Sequence, residues 1–260
     1  MQPNNIVIFC ISKFDENICM LQPWQQGKVI KIENESLSVK KFFIQAESPA
    51  ALTFKPGQFV TLDLPIHEQK NKRWRSYSVA SWPDGSNVFE LLIVLVPGGA
   101  GSTYLFENVQ QGGMLTYRGP QGVFVLPEVI DKPLYLICTG TGIAPFRSMV
   151  QYMHLNNIPH KEIYLIFGCR NLCDSLYRKE LQQLQQQMPG FKYLPVFSRE
   201  AESVTVKKGY VHPVYETLYT ASPTESLFYL CGWKNMIDEA KERILQMGID
   251  KKNIHLELYG

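Results

Sequence analysis

The hydrophobic pattern of this chain changes once along its 260 residues, near residue 132, and that change limits the folds open to it. Before this point apolar and polar side chains alternate, so that Val60, Leu62 and Leu64 share one face of a strand. Several such runs, separated by Gly, Pro and Asn, are typical of an antiparallel barrel or sandwich. After it, short apolar strands alternate with helical stretches, which predicts a parallel sheet covered on both faces.

We therefore predict two folded domains with a boundary in the segment VIDKPL, residues 129–134. The first domain takes residues 27–130 and the second residues 131–260, while residues 1–26 form an extension of unknown role. Local signals mark three helix ends, with Ser102 and Asp174 as N-caps and Gly248 after the last helix.

Composition excludes several classes of function. The net charge of +2 is too small to indicate a nucleic-acid or membrane partner. The six cysteines include no Cys-x-x-Cys pair and no spacing suited to zinc or an iron–sulfur cluster, so we expect no metal and reduced thiols in the cytoplasm. The N-terminal run IVIFCI is too short to span a bilayer and follows no basic residue, so we expect neither a membrane span nor a signal peptide.

A Gly-rich turn follows the apolar strand LYLIC and precedes a helix. Gly140 and Gly142 would let the backbone approach a phosphate, and the start of the helix near Ile143 would offer free N–H groups. Pro145 is tolerated in the first helical turn because its missing N–H would have no partner there. The pattern indicates a dinucleotide site, although an ordinary connecting turn has the same composition.

Two further segments suit a ligand with a phosphate and a flat ring. In a strand through RSYS, Arg75 and Tyr77 share one face, which a surface strand would also show. The segment PGGAGSTYL places Gly101, Ser102 and Thr103 at a helix start, as a second phosphate site or as a flexible hairpin turn.

A fourth segment, FSRE, follows a predicted strand in the second domain. Ser198 and Arg199 would grip a phosphate monoester, Lys208 would add charge, and Tyr210 would stack on a base. An exposed charged loop is the alternative. The second strand of this domain ends in Arg170 and carries no acidic residue to hold a ribose, which favours NADPH over NADH.

Six motifs in this order resemble those of the ferredoxin–NADP⁺ reductase family. They are RSYS, GAGSTYL, GPQG, GTGIAPFR, CGWKNM and ELY, at residues 75–78, 99–105, 119–122, 140–147, 231–236 and 257–259. The resemblance covers roughly residues 27–260 and is closest to the plant-type branch. It implies an FAD-binding antiparallel Greek-key β-barrel followed by a Rossmann-like α/β domain that binds NADP(H).

The resemblance also implies roles for single residues. Ser78 would bond near flavin N5, Tyr259 would cover the flavin ring until nicotinamide displaces it, and Glu257 would support proton movement. Cys231 would shape the nicotinamide pocket, although a small buried thiol is the alternative. The implied catalytic residues are Ser78, Cys231, Glu257 and Tyr259. The implied FAD ligands are Arg75, Ser76, Tyr77, Ser78, Gly101, Ser102, Thr103 and Tyr259. The implied NADP(H) ligands are Thr139, Gly140, Thr141, Gly142, Pro145, Arg170, Ser198, Arg199, Lys208, Tyr210, Cys231, Gly232 and Met236.

The implied reaction moves electrons between NADPH and a one-electron carrier through FAD. No cysteine set for a [2Fe–2S] cluster is present, so the carrier is a separate protein or molecule. Lys70, Lys72 and Arg73 would attract an acidic ferredoxin or flavodoxin, although a solvated basic loop has the same composition. Two alternatives stay open: an NADH-using reductase component of an oxygenase, and a flavin-binding electron-carrier or regulatory subunit without nucleotide turnover.

The sequence departs from the family pattern in three places. Gly260 follows Tyr259 and moves the terminal carboxylate away from the aromatic ring. No aromatic residue matches the one that some members stack on the FAD adenine. The strand ending FGCRN is more similar to the bacterial and oxygenase-reductase branches than to the plant one.

Overall fold

A computed structural model describes residues 22–48, 50–204 and 206–259. These residues form one antiparallel and one parallel sheet, which confirms the two-part fold predicted from the hydrophobic pattern. Most of the predicted N-terminal extension, including the IVIFCI run, and Gly260 lie outside the described residues.

The first sheet has six antiparallel strands in the order β4-β3-β6-β1-β2-β5. Their bounds are β1 Gln25–Asn34, β2 Val39–Ala46, β3 Phe59–Asp63, β4 Trp74–Ser78, β5 Val88–Val94 and β6 Met114–Gln121. A bridge between Val79 and Leu91 joins the end of β4 to β5, so the two outer strands of the sheet meet and the sheet closes on itself. Val60, Leu62 and Leu64, the alternating residues of the sequence, are completely buried inside it.

The second sheet has five parallel strands in the order β11-β10-β7-β8-β9. Its strands are β7 Leu134–Thr139, β8 Ile163–Cys169, β9 Phe191–Phe197, β10 Leu227–Trp233 and β11 Ile254–Tyr259. The helices are α1 Ala100–Glu107 in the first half, then α2 Ile143–Leu155, α3 Arg178–Gln187, α4 Val211–Ala221 and α5 Lys234–Gln246. Separate apolar clusters lie on the two faces of this sheet, as burial of both faces requires.

Two of the three predicted helix ends are wrong. Helix α1 begins at Ala100 with Gly99 as its N-cap, so Ser102 lies inside the first turn. Helix α3 begins at Arg178, and Asp174 instead closes a short 3₁₀ turn by accepting from the backbone of Asn171. In both places a polar side chain near the helix start satisfies a neighbouring loop rather than the helix itself. The predicted cap at Gly248 is confirmed, because it follows α5 with a positive φ of 85°.

The two sheets pack against each other through one continuous apolar cluster. It includes Ala80 and Phe124 beside the first sheet and Phe146 and Tyr229 from the second half. The Phe124 ring lies 5.8 Å from that of Phe146 and 5.4 Å from that of Tyr229, measured between centroids. The seam between the two sheets is therefore a packed apolar interface.

Within residues 22–48, 50–204 and 206–259, none of the helices combines the length and the apolar character that a membrane span requires.

Candidate active site

The order of the parallel strands places a crevice between β7 and β10. The chain runs outward from β7 to β8 and β9, then returns to the other side of β7 to form β10 and β11. At such a reversal the connections leave in opposite directions, and ligands of open α/β sheets bind at the carboxyl ends of those two strands. Here these ends carry the Gly140–Gly142 turn and the pair Cys231–Gly232.

The turn after β7 is packed directly onto the end of β10. A Cβ atom at Gly142 would lie 2.4 Å from the carbonyl oxygen of Cys231, and one at Gly232 would lie 2.5 Å from Thr139 Oγ1. Neither position can therefore hold a larger residue without moving the other strand. Gly140 has a φ of 54° and only open space and the Trp233 indole beside it. The turn thus exposes backbone at the start of α2, where a phosphate is favoured.

Four side chains from both sheets meet at the mouth of this crevice. Ser78, the last residue of β4, donates from Oγ to Glu257 Oε2 at 2.7 Å. The Tyr259 hydroxyl donates to Ser78 Oγ at 2.5 Å, and Cys231 Sγ lies 4.0 Å from the same Glu257 oxygen. The β10–β11 register pairs Cys231 with Glu257, which explains their proximity. The four predicted catalytic residues therefore form one cluster at the seam between the sheets.

The surroundings of this cluster keep its acidic groups protonated to higher pH than usual. Burial raises the pKa of the Glu257 carboxyl, and the hydrogen bond from Ser78 only partly offsets the rise. Burial and then the neighbouring carboxylate raise the pKa of the Cys231 thiol well above its ordinary value. Cys231 is thus a neutral thiol that contributes shape rather than a reactive thiolate.

This raised pKa gives a stability prediction for Glu257→Gln. The folded protein binds a proton at Glu257 more tightly than the unfolded chain, so wild type gains stability as pH falls through the raised pKa. We expect the Tm of cofactor-free Glu257→Gln to exceed that of wild type at neutral pH. The excess should disappear below about pH 4.3, the ordinary carboxyl pKa.

Calorimetry across this pH range measures the Tm difference between the variant and wild type. Glu225→Gln is the control, because its Tm difference should have the opposite sign. Lys132 lowers the pKa of Glu225, so Glu225→Gln should cost stability at neutral pH and nothing in acid. A Tm difference for Glu257→Gln that does not change with pH would contradict the raised pKa.

A second cradle lies where β4 meets the start of α1. The Arg75 side chain lies over Gly101, where a Cβ atom would be 2.8 Å from Arg75 Cγ. Arg75 Nη1 donates to the carbonyls of Lys72 and Trp74, which holds the guanidinium at the helix N-terminus. The Arg75 guanidinium, the start of α1 and the absence of a side chain at Gly101 together suit a pyrophosphate, which FAD binding requires.

The other predicted flavin residues are divided between this cradle and its surroundings. The Ser102 hydroxyl accepts from the Val96 amide at 3.0 Å, so it shapes the loop before α1. Thr103 is half-buried in the same turn. Tyr77 packs on the barrel core, and burial raises its pKa to about 12. Ser76 is exposed and bonds Thr61 Oγ1 at 3.0 Å.

The predicted phosphate-monoester residues meet at the carboxyl ends of β8 and β9. The Arg199 amide donates to the Arg170 carbonyl at 2.9 Å, and the Ser198 amide donates to that of Cys169 at 3.0 Å. Lys208 forms a parallel bridge to Phe197, which brings its segment to the same edge. Arg170, Arg199, Lys208 and Tyr210 are all exposed. Three exposed cations therefore lie on segments that meet at this edge of the sheet, which suits an anion.

The remaining predicted nucleotide residues line the crevice or lie close behind it. Thr141 and Pro145 are buried beneath the turn, and the Thr139 hydroxyl accepts from the Trp233 amide at 3.5 Å. Met236 is half-buried on α5. In the described part of the chain, no group of three or more His, Cys, Asp or Glu side chains is arranged to hold a metal ion.

The basic segment Lys70–Lys72 is exposed and forms a short 3₁₀ turn before β4. Arg73, grouped with it in the sequence, is half-buried, and its Nε lies 2.7 Å from Asp63 Oδ1. Its charge is therefore paired within the barrel, which leaves Lys70 and Lys72 as the outward cations of this segment.

Known families match both halves of the chain. The oxidoreductase FAD-binding domain matches residues 26–126, and the oxidoreductase NAD-binding domain matches residues 136–242. Ferredoxin–NADP reductase B of Sorangium cellulosum is 31% identical over 241 residues, which cover 90% of this chain and 97% of that protein. The chain belongs to the ferredoxin–NADP⁺ reductase family. The antiparallel barrel and parallel sheet are thus an FAD-binding and an NAD-binding domain of this family.

Other relatives and solved structures carry names that point to more than one function. The anthranilate 1,2-dioxygenase electron transfer component of Acinetobacter baylyi is 34% identical over 214 residues, which are 80% of this chain but 59% of that protein. A solved ferredoxin NADP⁺ reductase of Neisseria gonorrhoeae with bound FAD and NADP superposes with a TM-score of 0.75. It is 24% identical, covers 90% of this chain and 98% of its own, and supports the fold alone.

Sequence reasoning missed a group of buried polar residues behind the crevice. Arg147 was part of a motif without a role, and neither Tyr177 nor Glu90 was given a role. All three are less than a tenth exposed and hydrogen-bond to each other or to the opposite domain. A charged residue in the middle of the apolar run VFELLIV was the available signal.

Proposed function

We propose that this chain oxidises NADPH through bound FAD and delivers the electrons singly to a separate carrier protein. The observation that carries the proposal is the meeting of Ser78 from the FAD-binding domain with Cys231, Glu257 and Tyr259 from the NAD-binding domain. This is the place where a ligand of each domain can reach the other.

The side chains of the cluster are arranged to position reactants and hold a proton. FAD, when bound, supplies the conversion between two-electron and one-electron transfer. Ser78 links Tyr259 to Glu257 in one hydrogen-bonded row, so a proton released at the seam as electrons leave has a path to Glu257. Cys231, a neutral thiol that is completely buried at the end of β10, adds no charge beside that row.

Preference for NADPH over NADH rests on the cations at the ends of β8 and β9. A 2′-phosphate would meet Arg170, Arg199 and Lys208, and the first acidic residue after β8, Asp174, already accepts from the amide and side chain of Asn171 at 3.3 and 3.0 Å. Glu200 accepts from the Leu172 amide at 2.6 Å and so is already engaged with the neighbouring turn.

For the electron carrier we propose an acidic ferredoxin or flavodoxin, attracted by Lys70 and Lys72. An oxygenase reductase component that uses NADH is a second candidate, because the Acinetobacter baylyi relative is named as a dioxygenase electron transfer component.

The domain division near residues 129–134 remains our proposal. A cytoplasmic location is also a proposal, which the free thiols of Cys138, Cys169, Cys173 and Cys231 support.

Comparing kcat/KM for NADPH and NADH with the same artificial acceptor separates the two candidates. We expect NADPH to be the better donor, by roughly 10- to 150-fold. A higher value with NADH would favour the oxygenase component, and no turnover with either nucleotide would contradict both.

Tyr259→Ser is expected to increase access of nicotinamide to the flavin and to improve the use of NADH. The Tyr259 hydroxyl is bound to Ser78, so the ring must leave this position before a nicotinamide can take it. Removing the ring removes that competition. The measurement is KM for NADH, with Tyr219→Ser on the outer helix α4 as the control. An unchanged KM in Tyr259→Ser would show that the ring does not cover the site.

A further inference from the structure

Behind the crevice, a buried polar group joins the NAD-binding domain to the FAD-binding domain. Arg147 lies on α2, the helix that begins at the Gly-rich turn, and is 7% exposed. Its Nη1 donates to Glu90 Oε2 at 3.1 Å and to the Ala80 carbonyl at 2.9 Å. Ala80 lies two residues after Ser78, the last residue of β4, so one guanidinium links helix α2 to the segment that directly follows β4.

The same guanidinium is held from its own domain. Arg147 Nε and Nη2 donate to the two carboxylate oxygens of Glu180 at 2.8 and 3.0 Å. Gln151 donates to Glu180 Oε1 at 2.7 Å, which fixes that carboxylate. A bidentate pair defines the direction as well as the position of the guanidinium, which a lysine could not do.

Tyr177 makes a second link between the domains. Its hydroxyl donates to Glu90 Oε1 at 2.5 Å, its backbone amide donates to Glu35 Oε1 at 2.7 Å, and its ring lies 4.3 Å from the Arg147 guanidinium. Tyr177 also has a φ of 52°, a left-handed conformation that is unfavourable for a side chain of this size. Such strain persists only where several contacts fix the residue, and here two of those contacts come from the other domain.

We propose that Arg147, Glu90 and Tyr177 are positioning residues that fix the NAD-binding domain against the FAD-binding domain and thereby set the distance between nicotinamide and flavin. This inference rests on the proposed function for its kinetic part only. The charged groups of Arg147 and Glu90 are buried, so removing one of them leaves the other as an unpaired buried charge. Because the two residues belong to different domains, relief of that charge shifts the domains relative to each other rather than moving a surface loop. Hydride transfer depends steeply on distance, and a misplacement of about 1 Å can cost about 100-fold in rate.

Two variants test the kinetic part. Arg147→Gln should slow flavin reduction at saturating NADPH by about 100-fold, with FAD and NADPH dissociation constants unchanged. Tyr177→Phe, which removes one hydroxyl, should slow it by roughly tenfold. Arg147→Lys should fall between Arg147→Gln and wild type. The control is Tyr193→Phe, which removes a buried hydroxyl that bonds Ser175 within its own domain, and which should leave the rate unchanged.

Calorimetry of the cofactor-free protein supplies a readout that does not depend on activity. Loss of the link should separate the unfolding temperatures of the two domains in Arg147→Gln and Tyr177→Phe, but not in Tyr193→Phe. The proposal is overturned if Tyr177→Phe keeps both the wild-type rate and the wild-type unfolding profile, or if the rate falls only in proportion to lost FAD binding. Should Arg147→Gln fail to fold, Tyr177→Phe decides alone. If wild type is not reduced by NADPH or NADH, the proposed function fails, and the unfolding profiles still test the link.

Discussion

Arg199→Ala should raise KM for NADPH by roughly 10- to 150-fold and leave KM for NADH nearly unchanged. A charge-assisted hydrogen bond to a 2′-phosphate contributes about 1.5–3 kcal/mol, and this is the contact that the variant removes. Arg199 follows β9, and its backbone is held to Arg170 by a hydrogen bond of 2.9 Å, so the loop keeps its place when the side chain is shortened. Steady-state kinetics with each nucleotide measures the two constants.

Lys192→Gln is the matched control for this variant. It removes an exposed cation from β9, the strand that Arg199 follows, and that cation is paired with Glu162 at 3.2 Å rather than free for a ligand. We expect no change with either nucleotide. An equal rise in both KM values for Arg199→Ala would contradict the assignment of this surface to the 2′-phosphate, because NADH carries no such group.

Ser78→Ala should slow flavin reduction by NADPH about 100-fold at neutral pH, because Ser78 would hold the flavin edge that receives the hydride and a misplacement of about 1 Å can cost that much in rate. Ser78 joins Tyr259 to Glu257 through two short hydrogen bonds, since it accepts from one and donates to the other. Without its hydroxyl the half-buried Glu257 loses its nearest donor, and burial then raises the pKa of the carboxyl still further. Anaerobic stopped-flow absorption at saturating NADPH isolates this step from nucleotide binding.

Ser86→Ala controls for the loss of a serine from the FAD-binding domain. Ser86 lies in the loop before β5, and its hydroxyl accepts from the Val88 amide at 3.2 Å, within its own domain. Its replacement should leave the rate close to that of wild type. If the two alanine variants reduce flavin at the same rate, the row from Tyr259 through Ser78 to Glu257 has no part in the reaction.

The fold followed from the sequence because each domain has its own hydrophobic period. Val60, Leu62 and Leu64 alternate as a barrel strand requires, and the later strands are apolar throughout because both of their faces are covered. The helix starts at Ser102 and Asp174 were wrong for a different reason. A polar side chain that can cap a helix can equally bond a nearby loop, and the sequence does not distinguish the two.

The residues around the crevice were predicted from motifs, but the link between the domains was not. Ser78 and Glu257 are separated by 179 positions and Glu90 and Arg147 by 57, so neither contact is visible as a local pattern. The first pair belongs to two recognisable motifs. The second depends on how two folded domains pack, which no periodicity or cap signal encodes.

We propose that FAD bound by the barrel receives electrons from a nucleotide bound by the parallel sheet. The most direct measurement is the visible absorption spectrum of the FAD-loaded protein during anaerobic addition of NADPH. We predict that the purified protein binds FAD and is yellow, and that NADPH bleaches its visible band. A protein that binds neither FAD nor FMN, or a yellow protein that both nucleotides leave oxidised, would contradict the account.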